Sequence, residues 1–345
     1  MKEIKFAMIG YGGIAKSHKY GYDLLKKEGF PAKLVAICDI DKEQFTAAEQ
    51  AINLGATYGT DLSDVKLYTD VDEMLVAEDF DVVDICLPTY LHKKYAIKLM
   101  NAGKHVLSEK PMSLSYDDCQ ELLCVANKLN KKITIGQCLH FEAGYTYLKK
   151  CIDEQTFGKL QSLVFDRLSE LPTWKCFESW YLDPSRSGST PFDLHIHDID
   201  MANYLLGMPE AVSAVTIDNV VPMQYINSRL FYKNGVKVFV TASWNETKGT
   251  PFLMSYRANF DNATLVYNGG TVKVYPAGKD SFEAEETKRE NRKDRMAEEI
   301  RNMALVVGDP DFVNTANTPE CAASSILLIE KLVESAKADG EKIYI

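Results

Sequence analysis

Several features that would assign this chain to other classes are missing. Positive charge is not in excess: 39 Lys and Arg stand against 49 Asp and Glu, a formal net charge of −10. That balance argues against nucleic acid as a partner, since such surfaces need clustered basic residues. No apolar run reaches the roughly 18–20 residues of a membrane span. The first residues pass straight into a predicted strand without a signal-peptide pattern, so a cytoplasmic protein with no membrane partner is expected. The eight cysteines (Cys38, Cys86, Cys119, Cys124, Cys138, Cys151, Cys176 and Cys321) contain no CxxC pair. They are expected to be reduced and mostly buried, not a disulfide or zinc framework. Low-complexity tracts, Pro/Ser-rich linkers and an HExxH metal motif are also absent from the sequence. The 345 residues suffice for two domains of ordinary size, each with a substantial core.

The hydrophobic pattern changes character near residue 138. Before it, short β-rich runs (Ile4–Ile9, Leu34–Cys38, Val82–Leu87, His105–Ser108, Ile133–Gln137) alternate with helical patterns at Ala15–Lys27, Lys42–Asn53, Leu91–Ala102 and Tyr116–Leu129. Ser115, three residues before Asp118, has the form of a helix cap. Alternation of this kind predicts an α/β domain over residues 1–138, a doubly wound parallel Rossmann sheet whose ligands bind beyond the strands' carboxyl ends. Residues 139–345 read as an α+β domain for substrate binding and oligomerisation. After a helix at Tyr145–Glu154, strands follow one another at Leu160–Arg167, Ala211–Asn219, Ser228–Tyr232, Val236–Trp244, Phe252–Phe260, Ala263–Tyr267 and Thr271–Tyr275. Asn234-Gly235 and Asn268-Gly269-Gly270 are hairpin signals, so a largely antiparallel, open-faced sheet is expected. Helices at Phe192–Leu206, Phe282–Val307 and Pro319–Lys337 would cover one face, with the charged run Glu283–Arg295 as a solvated helix surface. The other face, expected to carry Val236, Val238 and Val240, is a candidate interface for a homodimer or homotetramer.

Directly after the first strand comes Gly10, Tyr11, Gly12, Gly13, Ile14, Ala15. A glycine allows the tight turn out of the strand, a second lets backbone approach a pyrophosphate, and a small residue lets the helix pack close. The helix N-terminus then meets the anion. Asp39 ends the second strand, 24 residues past Ala15, close to the roughly 20-residue spacing of a carboxylate that receives ribose hydroxyls. It would repel a 2′-phosphate, and neither Cys38 nor Ile40 beside it is basic, so NAD is favoured over NADP as the cofactor. The other reading of the segment is an ordinary strand-turn-helix corner.

At later strand ends stand Leu87, Pro88, Thr89 and His92, then Glu109, Lys110 and Pro111; the second half carries Gly188, Asp193, His195, His197, Asp198 and Gly207. With the glycine turn, the order of the EKP triplet and the DxxxH segment resembles the glucose-fructose oxidoreductase and inositol dehydrogenase (Gfo/Idh/MocA) family over essentially the whole chain. The resemblance implies an NAD-dependent dehydrogenase acting on a secondary hydroxyl of a sugar, inositol or related polyol. It implies that Lys110, Asp193 and His197 are catalytic, with Lys110, Gln137, Trp174, Asp193, His195 and His197 around the substrate. Backbone and side chains of Gly10–Ala15, Asp39, Leu87–Thr89, His92, Glu109 and Lys110 would hold the cofactor. The chemistry asks for such groups: a base for the hydroxyl proton, suited to His197, and a positive donor for the developing alkoxide, suited to Lys110. Lys110 could take the proton instead, and Asp193 would orient the imidazole or bind a substrate hydroxyl.

Blander readings stay open at this point: a surface Lys110, a helix-surface pair at Asp193 and His197, and a capping or core role for His92. Asp193, His195 and His197 could also be read as metal ligands, but no metal is expected, because hydride transfer needs no Lewis acid. His140 stands where relatives often carry Arg, and Pro111 is a candidate for a cis peptide. Phe177, Trp180 and Tyr181 join Trp174 as a candidate sugar wall. Two other functions remain: an NAD-dependent glycoside hydrolase or isomerase using transient sugar oxidation, and a non-catalytic sugar or nucleotide sensor.

Overall fold

A computed structural model describes residues 2–46, 61–173 and 177–345. The chain forms two compact units. The first comprises the described parts of residues 1–138, 174–180 and 294–323; the second comprises 139–173, 181–293 and 324–345.

The first unit is built on β1 (Ile4–Ile9), α1 (Gly13–Lys27), β2 (Ala32–Cys38), β3 (Lys66–Tyr68), α2 (Val71–Ala77), β4 (Val82–Ile85), α3 (His92–Asn101), β5 (His105–Glu109), α4 (Tyr116–Lys128) and β6 (Ile133–Gly136). The strands pair in the order β3-β2-β1-β4-β5-β6, all in parallel. This is the nucleotide-binding arrangement, with its switch point between β1 and β4. β4 is buried throughout and β1 nearly so, which is why both read as continuous apolar runs. β3 escapes sequence reading because it is three residues long and largely exposed. Of the helix expected at Lys42–Asn53, residues Lys42–Phe45 form a single 3₁₀ turn capped by the Asp41 side chain, and 47–53 lie outside the described residues.

The second unit contains α5 (Ala143–Asp153), β7 (Leu160–Glu170), α6 (Pro184–Ser187), α7 (Ile196–Leu206), β8 (Ala211–Ile217), β9 (Tyr225–Phe231), β10 (Lys237–Glu246), β11 (Leu253–Phe260), β12 (Ala263–Tyr267), β13 (Lys273–Pro276) and β14 (Phe282–Glu283). With a closing strand β15 (Ile343–Tyr344) they make one sheet ordered β14-β13-β12-β11-β7-β10-β9-β8-β15. Hairpins at Gly235 and Gly269, both at positive φ, join β9 to β10 and β12 to β13. One pairing departs from the antiparallel expectation: β7 and β10 run parallel. The expected face assignment is also corrected. Val238 and Val240 are fully buried on the covered side, opposite Leu163 and Phe165, and Val236 precedes β10. The uncovered side instead carries Val164, Leu168, Tyr225, Arg229, Phe231, Phe239 and Arg257, the intervening half-buried or exposed positions.

The helix expected over Phe282–Val307 is shorter than its charge pattern suggests. Helix α8 spans Arg295–Gly308, with the Asp294 carboxylate accepting from the amides of Met296 and Ala297. Upstream, β14 pairs with β13. The buried Thr287 hydroxyl accepts from Val272 N–H and donates to Ala284 C=O. Those bonds hold 282–291 against the sheet edge, so the charged run is not a helix face. Helix α9 follows at Pro319–Lys337. No described helix is long and apolar enough to cross a membrane.

Within the first unit α8 packs on α1. A Cβ placed on Gly21 would sit 2.9 Å from Ala297 N and 3.0 Å from Met296 C, backbone atoms that cannot step aside. Gly21→Ala is therefore expected to lose stability, by about 1–3 kcal/mol, despite the helix propensity it gains. Urea unfolding showing equal or greater stability would contradict this packing.

Candidate functional site

β1 ends in a turn that only glycine can make. Gly10 has φ +83°, donates its N–H to Cys38 C=O at 2.8 Å, and an added Cβ would lie 2.6 Å from Cys86 O. Gly12 precedes α1, whose N-terminus has no side-chain cap, and a Cβ there would meet nothing within 4 Å among the described residues. Gly13 and Ile14 are half-buried, while the Tyr11 and Ala15 side chains are buried. The Tyr11 ring thus belongs to the core. Asp39 is tied to this turn: one carboxylate oxygen accepts Tyr11 N–H at 2.6 Å and the other accepts Asp41 N–H at 2.8 Å. Burial raises its pKa, with both amides acting in the opposite direction. Open space over Gly12, uncapped first-turn amides and an anchored carboxylate fit a dinucleotide's pyrophosphate and ribose.

Lys110 follows β5 and is half-buried, joined to Pro111 by a cis peptide. Glu109 before it is buried, and both of its oxygens are engaged by protein: Oε1 with His18 Nε2 at 3.0 Å and Oε2 with Lys110 N–H at 3.0 Å. His18 Nδ1 meets Asp84 Oδ2 on β4 at 2.9 Å. The Tyr22 hydroxyl and the Cys86 thiol also donate to Asp84. His92 is buried, its Nδ1 2.8 Å from Pro111 O and its Nε2 2.8 Å from Leu87 O. Burial lowers its pKa, against the two carbonyls. His92 thereby ties the loop after β4 to the loop after β5. Leu87 and Pro88 are half-buried, Thr89 is buried, and Gln137 is buried just past β6. Sequence reading overlooked His18. Its signal was spacing: Ala15, His18, Tyr22 and Leu25 form the inward stripe of α1, and a histidine on an apolar stripe must find polar partners.

In the second unit, a single π-turn at Pro191–His195 leads into α7. Asp193 and His197 straddle that junction and stay half-buried, whereas His195 and Ile196 between them are buried. The next two carboxylates anchor the helix. Asp198 receives a two-pronged ion pair from Arg167, Nε at 2.8 Å and Nη2 at 2.9 Å. Asp200 meets His140 Nε2 at 2.7 Å and accepts from the Ser325 hydroxyl at 2.8 Å. His140, stacked on Tyr204 with centroids 4.0 Å apart, is thus an anchor of α7. His195 turns from the expected substrate side into the core: fully buried, with Nε2 2.9 Å from the Ser228 hydroxyl on β9. Trp174 and the Phe177 side chain lie outside the described residues. Tyr181 packs edge-on to Trp244.

Comparison with known proteins agrees with this architecture. Residues 4–137 match the family model of the Gfo/Idh/MocA oxidoreductases described as an NAD-binding Rossmann fold, and residues 145–266 match the Gfo/Idh/MocA C-terminal domain. A 2,7-anhydro-N-acetylneuraminate hydratase of Mediterraneibacter gnavus is 31% identical over 219 residues, 62% of this chain and 52% of that protein. Inositol 2-dehydrogenase of Rhizobium meliloti is 29% identical over 223 residues, covering 63% and 61% of the two chains. The match spans about half the length of such curated relatives. A levoglucosan dehydrogenase solved with NADH and levoglucosan superposes with a TM-score of 0.82 at 19% identity, over 99% of both chains, and so shares the fold.

The placement of His195 has a consequence for stability. Burial drops its pKa to about 3 from 6.5. Unfolding between those values takes up a proton, so this histidine's contribution to stability is complete above pH 6.5 and is lost as pH falls. His195→Gln is expected to shrink the stability difference between about pH 8 and pH 5 by about 2 kcal/mol, measured by urea unfolding. An unchanged difference would mean that the ring is charged or solvated.

Proposed function

This chain belongs to the Gfo/Idh/MocA oxidoreductase family, and from that premise we propose that it is an NAD-dependent dehydrogenase of sugars, inositols or related polyols. The observation that carries the reading is local to the first unit. The Gly10 turn, the Asp39 carboxylate bound to it and Lys110 all stand at the carboxyl ends of one parallel sheet. Relatives named for inositol and levoglucosan oxidation support the substrate class.

Bound NAD would supply the hydride acceptor. Lys110 would donate to the reacting hydroxyl and stabilise the oxygen as negative charge develops on it. His197 would accept the hydroxyl proton, and Asp193 would orient that imidazole or receive a neighbouring substrate hydroxyl. Asp39 would accept the ribose hydroxyls and disfavour a 2′-phosphate. The carbinol carbon loses its hydrogen as hydride and its oxygen loses a proton, leaving a ketone.

A second reading has one observation in its favour: a relative is named a hydratase, and hydration consumes no net redox equivalent. In that case sugar oxidation would be transient and NAD would be regenerated within each turnover. A polyol and sugar panel with free NAD, followed by NADH absorbance, is expected to show accumulation; product without NADH would favour the hydratase-type reaction. Lys110→Met is expected to reduce kcat by about a hundred- to a thousandfold with NAD binding retained in calorimetry. Failure of the unaltered protein to bind either pyridine coenzyme would overturn both readings.

The uncovered face of the second unit's sheet is proposed as the homo-oligomer interface. Phe239 is 37% exposed, and Arg229 lies over the Phe231 and Phe239 rings, 4.5 and 5.6 Å from their centroids. That mixture of aromatic and guanidinium groups suits a subunit contact. Light scattering is expected to give a dimer or tetramer, and Phe239→Glu to give a folded monomer. An unaltered chain that is monomeric at micromolar concentration would refute the interface.

A further inference from the structure

The buried polar cluster behind Lys110 is larger than the proposed reaction requires. His18 is fully buried with a carboxylate oxygen at each ring nitrogen, Asp84 Oδ2 at 2.9 Å and Glu109 Oε1 at 3.0 Å. A neutral imidazole has one N–H and one lone pair, so it would set that lone pair against a carboxylate. With two carboxylates flanking one ring, the shared proton goes to the imidazole, the more basic group, and the further donors on both carboxylates favour their ionised form. Asp84 also accepts from Tyr22 and Cys86, and Glu109 also accepts from Lys110 N–H. From α8 the fully buried Glu299 faces the same cluster. Its Oε1 lies 3.1 Å from the position a Cβ on Gly136 would take, and Glu109 Oε1 lies 3.3 Å from that position.

We propose that His18 is a permanently charged imidazolium and a positioning residue for Lys110, acting by clamping Glu109 so that its second oxygen fixes the Lys110 amide. This rests on the assignment of Lys110 to the reaction. The opposite side of the same short segment is held by His92 through Pro111 O, so Lys110 is flanked by two buried histidines with different tasks. The electrostatics agree. Burial alone would lower the His18 pKa, but Asp84 and the neighbours beyond it raise it well above the ordinary value. Burial likewise works against Glu109, yet the His18 hydrogen bond and charge bring its pKa below the usual range. Glu299 differs: burial pushes it up to about 8, so it holds its proton at neutral pH. The cluster then contains one cation, two carboxylates and one neutral acid.

The test uses the full chain labelled with ¹⁵N-histidine, with His18 assigned by its loss in His18→Gln. Both ring nitrogens are expected to stay protonated from about pH 6 to about pH 9, where a free histidine has lost its charge. His18→Gln is expected to lower kcat about a hundredfold while KM for NAD changes less than about threefold. Because a loss of folded protein would also lower apparent kcat at constant KM, the rate is normalised to the folded fraction measured by circular dichroism on the same sample. Should this variant fail to fold, Glu109→Gln, which keeps an acceptor for Lys110 but breaks the ion pair, has the same expectation. A neutral His18 ring at pH 7, a variant with unaltered kcat, or a stoichiometric metal ion found by elemental analysis would each overturn the proposal. Full turnover in Lys110→Met would instead sink the assignment of Lys110 and leave the ring's charge state standing.

Discussion

The first unit depends on a buried ion cluster that ties one helix to two strands where the sheet ends. His18 comes from α1, Asp84 from β4 and Glu109 from the last residue of β5. Burying these charges is unfavourable unless every lone pair and proton is met. Here each carboxylate gains a donor besides the ring: Tyr22 and Cys86 on one, the Lys110 amide on the other. A cluster satisfied in this way is rigid, because any displacement leaves a buried charge unpaired. Rigidity is placed at the ends of β4 and β5, beside the switch point, where a doubly wound sheet receives its ligand.

The second unit applies the same device to a helix. α7 carries His197 at its second residue, and Asp198 and Asp200 hold that turn to β7 through Arg167 and to the segment before α5 through His140. Breaking such a pair by removing one partner costs about 3–5 kcal/mol, more than most single apolar contacts supply. The π-turn before α7 is a related adjustment. One wide turn keeps Asp193 and His197 accessible while sending His195 inward to Ser228. His195 and His197 are two residues apart, yet one is a neutral core histidine and the other remains half-buried.

What was legible in the sequence follows from which forces act locally. Long runs such as Ile4–Ile9 announce their strands because both sheet faces bury apolar side chains, and the Gly10 turn is visible because no other residue tolerates its φ beside Cys86 O. The parallel β7–β10 pair was hidden, since these strands are far apart in the chain and hairpin signals describe only neighbours. The face borne by Val238 and Val240 was misjudged for a similar reason: alternation separates two faces without saying which one helices cover. The charged segment from Glu283 had a helix-like composition but lacked a continuous apolar stripe, and Thr287 bonded it to the sheet edge instead. Trp174, singled out as a sugar-wall residue, falls outside the described residues.

His18 shows why buried polar networks resist sequence reading. Asp84 reads as one charge inside an apolar strand, Glu109 as part of a cofactor motif and Glu299 as one of many acidic residues in a charged helix. Each is ordinary where it stands, and their meaning lies in convergence from positions up to 281 apart in number. Glu109 illustrates the consequence. In the triplet Glu109-Lys110-Pro111 the glutamate looks like a ligand contact, and in the fold each of its oxygens also holds a neighbour, His18 on one and the Lys110 amide on the other. A motif therefore mixes residues that touch ligand with residues that hold their neighbours, and spacing cannot separate the two. The separation comes from counting donors against acceptors at each buried atom.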